Sequence, residues 1–124
     1  MTKMVSALML GTSLVRGSPS AVIAQDKNVK IGVLTDQSGL YADISGVGSV
    51  LAAQMAVEDS GLANKGWKID VISGDHNNKA DIGTNIARQW IDVEKVDVIA
   101  DVPTSSVALA VSNLVKEKNI IHLN

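Results

Sequence analysis

From Val29 onward, short runs rich in β-branched residues alternate with stretches of helical spacing, and this alternation limits the possible folds more than any other feature of the chain. Val29–Leu34 (VKIGVL) predicts a strand, closed by the polar turn Thr35-Asp36-Gln37-Ser38-Gly39. Small apolar residues fill the stretch from about Ile44 to Ser60. Val47, Leu51 and Met55 recur there at helical spacing, with Val50 and Val57 beside them, and Gly61 is the expected stop. Trp67–Ser73 alternates apolar and polar as a second strand, and Gly74–Asn78 follows as a polar loop. Ile82, Ile86, Trp90 and Val93 mark one face of a second helix. Val96–Val102 predicts a third strand. Pro103-Thr104-Ser105-Ser106 is then a turn with hydroxyls in helix-capping positions. Val107, Ala110, Val111, Leu114 and Val115 predict a third helix, with Lys116 and Lys118 near its negative end and Asn119 closing it. Ile120–Leu123 begins a fourth strand.

Strand alternating with helix implies an α/β fold: a Rossmann-like parallel sheet flanked by helices on both faces, with right-handed crossovers. Such sheets bind ligands beyond the carboxyl ends of their strands. The loops expected there are Thr35–Asp43, Gly74–Asp81 and Val102–Ser106. The only aromatic residues are Tyr41, Trp67 and Trp90, so the core must be built mainly from Val, Ile, Leu and Ala. Both tryptophans fall on apolar faces and are expected in that core.

The first residues have a different character. Lys3 precedes an apolar run, Met4–Val15, of about a dozen residues, whereas a membrane span needs roughly 20. A basic start, a short apolar core and small residues downstream form the signal-peptide pattern. Val22-Ile23-Ala24 predicts cleavage after Ala24, with Gln25 as the mature start, and hence export to the periplasm. Residues 1–24 are therefore assigned to the signal and 25–124 to one incomplete lobe. The chain stops on a strand at Asn124, which predicts a truncated or fragmentary product.

A net charge of −2 gives no basic face for nucleic acid. With no cysteine, there is no disulfide framework, thiolate metal site or lipid anchor. Ser38-Gly39 lacks the Gly-x-Ser-x-Gly elbow of a hydrolase. Gly46-x-Gly48 lacks the third glycine of a dinucleotide fingerprint, and the pair is expected to allow tight helix packing. His76 lies among Asp75 and Asp81 in what reads as a solvated loop rather than a metal site. His122 is expected in the core or at a strand end. Asp36 and Asp101 sit where a receiver domain holds acidic residues, a cytoplasmic role at odds with an export signal. No catalysis, cofactor or metal is expected.

Three segments carry a family resemblance. VKIGVLTDQSGLYADISGVGSVLAAQMAVED resembles the opening of a periplasmic solute-binding protein of the branched-chain amino-acid ABC-transporter type, leucine-binding-protein-like. KGWKIDVISGDHNNKADIGTNIARQWI and VDVIADVPTSSVALAVSNLVKEKNIIHLN resemble the two units that follow. The resemblance implies a two-lobed protein that closes on its ligand, of which this chain is the first part of one lobe. It implies a small amino-acid-like or carboxylate solute as ligand and ABC permease subunits as partners of the full-length protein. By the same resemblance the turn Thr104-Ser105-Ser106 contacts the ligand carboxylate, and the loop from Ser38 through Tyr41 to Ile44 lines the pocket mouth. A ligand-binding sensor domain and a fragment without independent function are the alternatives.

Overall fold

Four parallel strands form the scaffold of the computed structural model, which describes residues 26–124. The apolar run Met4–Val15 and the processing point between Ala24 and Gln25 lie outside the described residues. β1 is Asn28–Thr35, β2 Lys68–Asp75, β3 Val98–Ala100 and β4 Ile121–Leu123; α1 is Gly46–Asp59, α2 Ala80–Gln89 and α3 Ser105–Lys118. Strand order is β2-β1-β3-β4, with Thr35 opposite Asp75 and Val33 opposite both Ser73 and Ala100. The chain steps from β1 to β2 on one side, then crosses back to β3 on the other. Crossovers of one hand therefore place α1 on one face of the sheet and α2 with α3 on the opposite face. Packing agrees: α1 lies against β1 and β2, and α2 lies against α3.

The core sits on the α2–α3 side. Leu34 and Ile99 of the sheet are fully buried against Ala87, Trp90, Val107, Val111 and Leu114. Trp90 determines what β1 and β2 can carry beneath it. A Cβ at Gly32 would lie 2.5 Å from Trp90 Cε3, and one at Gly74 would lie 2.8 Å from Trp90 Cζ2. The indole thus rests on two strands bare at those points.

Several expectations need correction. α1 turns Val50, Ala53 and Val57 toward the sheet as half-buried residues, while Val47, Leu51 and Met55 are 69%, 57% and 52% exposed. Small and apolar residues cover most of its surface, with Gln54, Glu58 and Asp59 the exposed polar ones, so the spacing of the apolar residues alone does not select the inner face. Gly48 has no neighbour that a Cβ would meet, so it does not serve tight packing; Gly46 is buried, would place a Cβ 3.3 Å from the Asp36 carbonyl oxygen, and adopts a left-handed φ of 44° where the loop enters the helix. Val93 is 68% exposed, because α2 passes into a π turn, Trp90–Glu94. The wider turn brings Ile91 inward and rotates Val93 out before Lys95 ends it in a left-handed conformation. Trp67 is only half-buried and lies outside the core cluster. β2 continues through Gly74 and Asp75, which were expected to be loop, and β3 is shorter than Val96–Val102. Among the described residues, no helix is long and apolar enough to cross a membrane.

Candidate functional site

Strands β1, β2 and β3 run parallel, so the loops after them emerge at one edge of the sheet. Asp36, directly after β1, is fully buried. Its carboxylate accepts from the Gly39 N–H at 2.8 Å and the Tyr41 N–H at 2.9 Å, folding the loop back onto the strand. This buried clamp is unlike the accessible acid of a receiver domain.

Asp75, at the end of β2, ties the second loop to the first. It accepts from the Ser38 hydroxyl at 2.6 Å, the Gln37 N–H at 2.9 Å and the Asn77 N–H at 2.8 Å. Partial burial would push its carboxyl upward, but these donors outweigh that effect and hold it below the ordinary carboxylate value. Ser38 is exposed and also accepts from Asn77 Nδ2 at 3.2 Å. Tyr41 is half-buried, and its carbonyl accepts from the Ser45 hydroxyl at 3.2 Å. These contacts bring Ser38 to the second loop; none among the described residues joins Ser38 or Tyr41 to the turn at Thr104.

His76 contradicts the solvated-loop expectation, being fully buried. Its Nδ1 accepts from the Asn78 N–H at 3.0 Å, which leaves the proton of the neutral ring on Nε2. Burial pulls its pKa below the ordinary histidine value, against the opposing charges of Asp36, Asp75 and Asp101. The signal for this was the alternation Ile72-Gly74-His76, which continues the inward face of β2 one step past the strand.

The third loop is built around α3. Thr104 holds the N-cap position with extended backbone angles, φ −91° and ψ 119°, and its carbonyl accepts the first helical bond, from Ala108 N–H at 2.8 Å. The expected hydroxyl cap is absent: Thr104 Oγ1 is buried and has no partner among the described residues. Ser105 and Ser106 are exposed. The first turn of a helix leaves its amide N–H groups without intrahelical partners, so this corner presents free donors and the positive end of a helix dipole. Asn124 steadies it from below, its Oδ1 accepting from the Val102 N–H at 3.0 Å. His122 is half-buried in the middle of β4, opposite Ile99, rather than in the core cluster or at a strand end. Its Nδ1 pairs with the Ser112 hydroxyl at 3.1 Å, and burial lowers its pKa.

Chemically, this edge can hold an anion through neutral donors. Asp75 is saturated and Asp36 is clamped, so neither offers a free general base. Among the described residues, no group of three His, Asp or Glu side chains is placed to hold a metal ion. A wide groove of about 610 Å³ lies elsewhere, between α1 and the β2 side of the sheet, and holds none of these groups.

The family model described as "Periplasmic binding protein" matches residues 28–124. A periplasmic binding protein from Burkholderia mallei is 43% identical with a TM-score of 0.73, over 77% of this chain and 26% of that one. A branched-chain amino acid ABC transporter periplasmic ligand-binding protein from Burkholderia xenovorans LB400 is 46% identical with a TM-score of 0.70, over 76% of this chain and 25% of that one. An ABC-transporter solute-binding protein from Rhodopseudomonas palustris BisB5, solved with 3,4-dihydroxybenzoic acid, is 26% identical with a TM-score of 0.67, over 77% and 26%. The chain thus spans about a quarter of the length of these solved relatives. No curated protein matches the chain.

Proposed function

The chain belongs to the periplasmic binding protein family, and from that premise we propose that it supplies the first part of one lobe of an ABC-transporter substrate-binding component, residues 25–124, whose ligand is a small carboxylate-bearing solute. The observation that carries this reading is the free N-terminal corner of α3. Thr104 occupies the cap position without capping, its hydroxyl buried and unpaired, and the exposed hydroxyls of Ser105 and Ser106 and the first-turn amides remain available as donors. Neutral donors suit a carboxylate without requiring a counter-charge. A carboxylate is also what an amino acid and 3,4-dihydroxybenzoic acid have in common, and relatives carry those two ligand classes in their descriptions. Ser38 and Tyr41 are assigned to the mouth of the pocket. The role is binding without catalysis, in the periplasm, with ABC permease subunits as partners of the full-length protein and export through cleavage after Ala24. N-terminal sequencing of periplasmic material should begin at Gln25; an intact Met1 on a cytoplasmic product would contradict export.

A chimera in which residues 28–124 replace the matching quarter of the Burkholderia xenovorans relative tests the site. Ser105→Ala and Thr104→Ala should each weaken carboxylate binding by roughly ten- to a hundred-fold, the effect of losing a hydrogen bond to a charged group at about 1.5–3 kcal/mol. Loss of a helix cap alone would lower stability by about 1 kcal/mol and leave affinity unchanged, and that result in both variants would remove the turn from the site.

A further inference from the structure

The loop between β1 and α1 is wound around one side chain. Asp36 is fully buried, and its two carboxylate oxygens take separate donors: Oδ1 accepts from the Gly39 N–H at 2.8 Å and Oδ2 from the Tyr41 N–H at 2.9 Å. The fit leaves no space for a side chain at residue 39, where a Cβ would lie 2.7 Å from Asp36 Oδ2 and closer still to Oδ1. The Asp36 carbonyl also bounds the far end of the loop, 3.3 Å from where a Cβ at Gly46 would stand. Between these ends the Tyr41 carbonyl accepts from the Ile44 and Ser45 N–H groups, each at 3.0 Å. Asp75 braces the loop from β2 through the Gln37 N–H and the Ser38 hydroxyl. The protein's own groups thus engage the loop at both ends and in the middle.

We propose that Asp36 is a positioning residue for the pocket mouth. Buried and with both oxygens engaged, it does not reach the ligand; through the Gly39 and Tyr41 amides it sets the loop on which Ser38 and Tyr41 stand. Its functional meaning rests on the reading of Ser38 and Tyr41 as that mouth. A loop set in advance spares binding the cost of ordering it. The position needs two acceptors on one short side chain. A carboxylate supplies both, whereas a carboxamide of the same shape supplies one and turns its NH2 donors against the other amide.

The first measurement is amide hydrogen exchange in the 124-residue chain without ligand. Asp36→Asn should speed exchange at Gly39 or Tyr41 by roughly tenfold, the scale of one lost hydrogen bond to a charged group. Gly39→Ala keeps the carboxylate but crowds it, and should speed exchange at Tyr41. In both variants the rise should exceed that at buried Ile99, whereas a general loss of stability would raise exchange at Ile99 as well. Unchanged exchange at these loop amides, or a rise no larger than at Ile99, would overturn the clamp. The second measurement is titration of the chimera with leucine and with 3,4-dihydroxybenzoate. Asp36→Asn should weaken binding by roughly tenfold. Ser38→Ala should then cost less in the Asp36→Asn background than alone, because the loop no longer presents Ser38. Unchanged affinity, or effects that add in full, would overturn the positioning role. A chimera that binds neither probe would instead overturn the carboxylate reading, a failure separate from that of the clamp, which the exchange rates decide.

Discussion

Gly32 illustrates how one residue can be fixed by another far along the chain. A methyl group there would strike the face of Trp90, as would one at Gly74. Gly32→Ala should therefore lower stability by about 1–3 kcal/mol, the usual cost of overpacking, as measured by denaturant unfolding. Retained stability would mean that Trp90 can move aside. The histidines act through pH. Burial holds both His76 and His122 below the ordinary histidine value of about 6.5. A group with a depressed folded pKa contributes stability that is fully present above its unfolded value and lost as pH falls toward and through the folded one. Unfolding free energy should thus decline as pH drops below about 6.5, and the decline should be shallower in His76→Gln. An equally steep decline in that variant would exclude His76 as its source. Asp75 has the same sign at lower pH, with its contribution lost below the ordinary carboxylate range. The burial of His76 was hard to read in the sequence because its neighbours Asp75, Asn77 and Asn78 are polar and suggest solvent, whereas the alternation that buries it spans only three residues on one face.

At the scale of elements, the order strand–helix–strand was legible because the periods of two and of about four residues are sharply different and Gly61 and Asn119 punctuate them. Both residues adopt the left-handed conformations that helix stops require. The helix faces were legible only where polar residues mark the outside. α3 has them, and Val107, Val111, Leu114 and Val115 are buried as expected, although Ala108 is buried where Ala110 was expected. α1 has only Ser49, Gln54, Glu58 and Asp59 to mark it, and of the apolar residues expected there Val50 and Val57 turn inward while Val47, Leu51 and Met55 turn outward. The contrast is measurable: Leu114→Ala should cost about 2–5 kcal/mol, whereas Leu51→Gln should change stability by no more than about 0.5 kcal/mol. A large loss from Leu51→Gln would show that α1 is covered in solution. The π turn after Trp90 had no signal in the spacing, because the Ile82-Ile86-Trp90-Val93 pattern fits an uninterrupted α-helix.

For the whole molecule, the sheet topology gathers three loops at one edge, and the third presents a helix N-terminus with free donors. The relatives use about four times this length of chain. A ligand resting on this edge alone remains half in water, where solvent competes for every hydrogen bond. In the two-lobed protein proposed above, closure by a second lobe would remove that competition. Calorimetry with branched-chain amino acids and with 3,4-dihydroxybenzoate, comparing the 124-residue chain with the chimera that restores the remaining three quarters, tests this most directly. The expected result is weak or undetectable binding by the chain and measurable binding of at least one of these carboxylates by the chimera; tight binding by the isolated chain, or none by a folded chimera, would contradict the account.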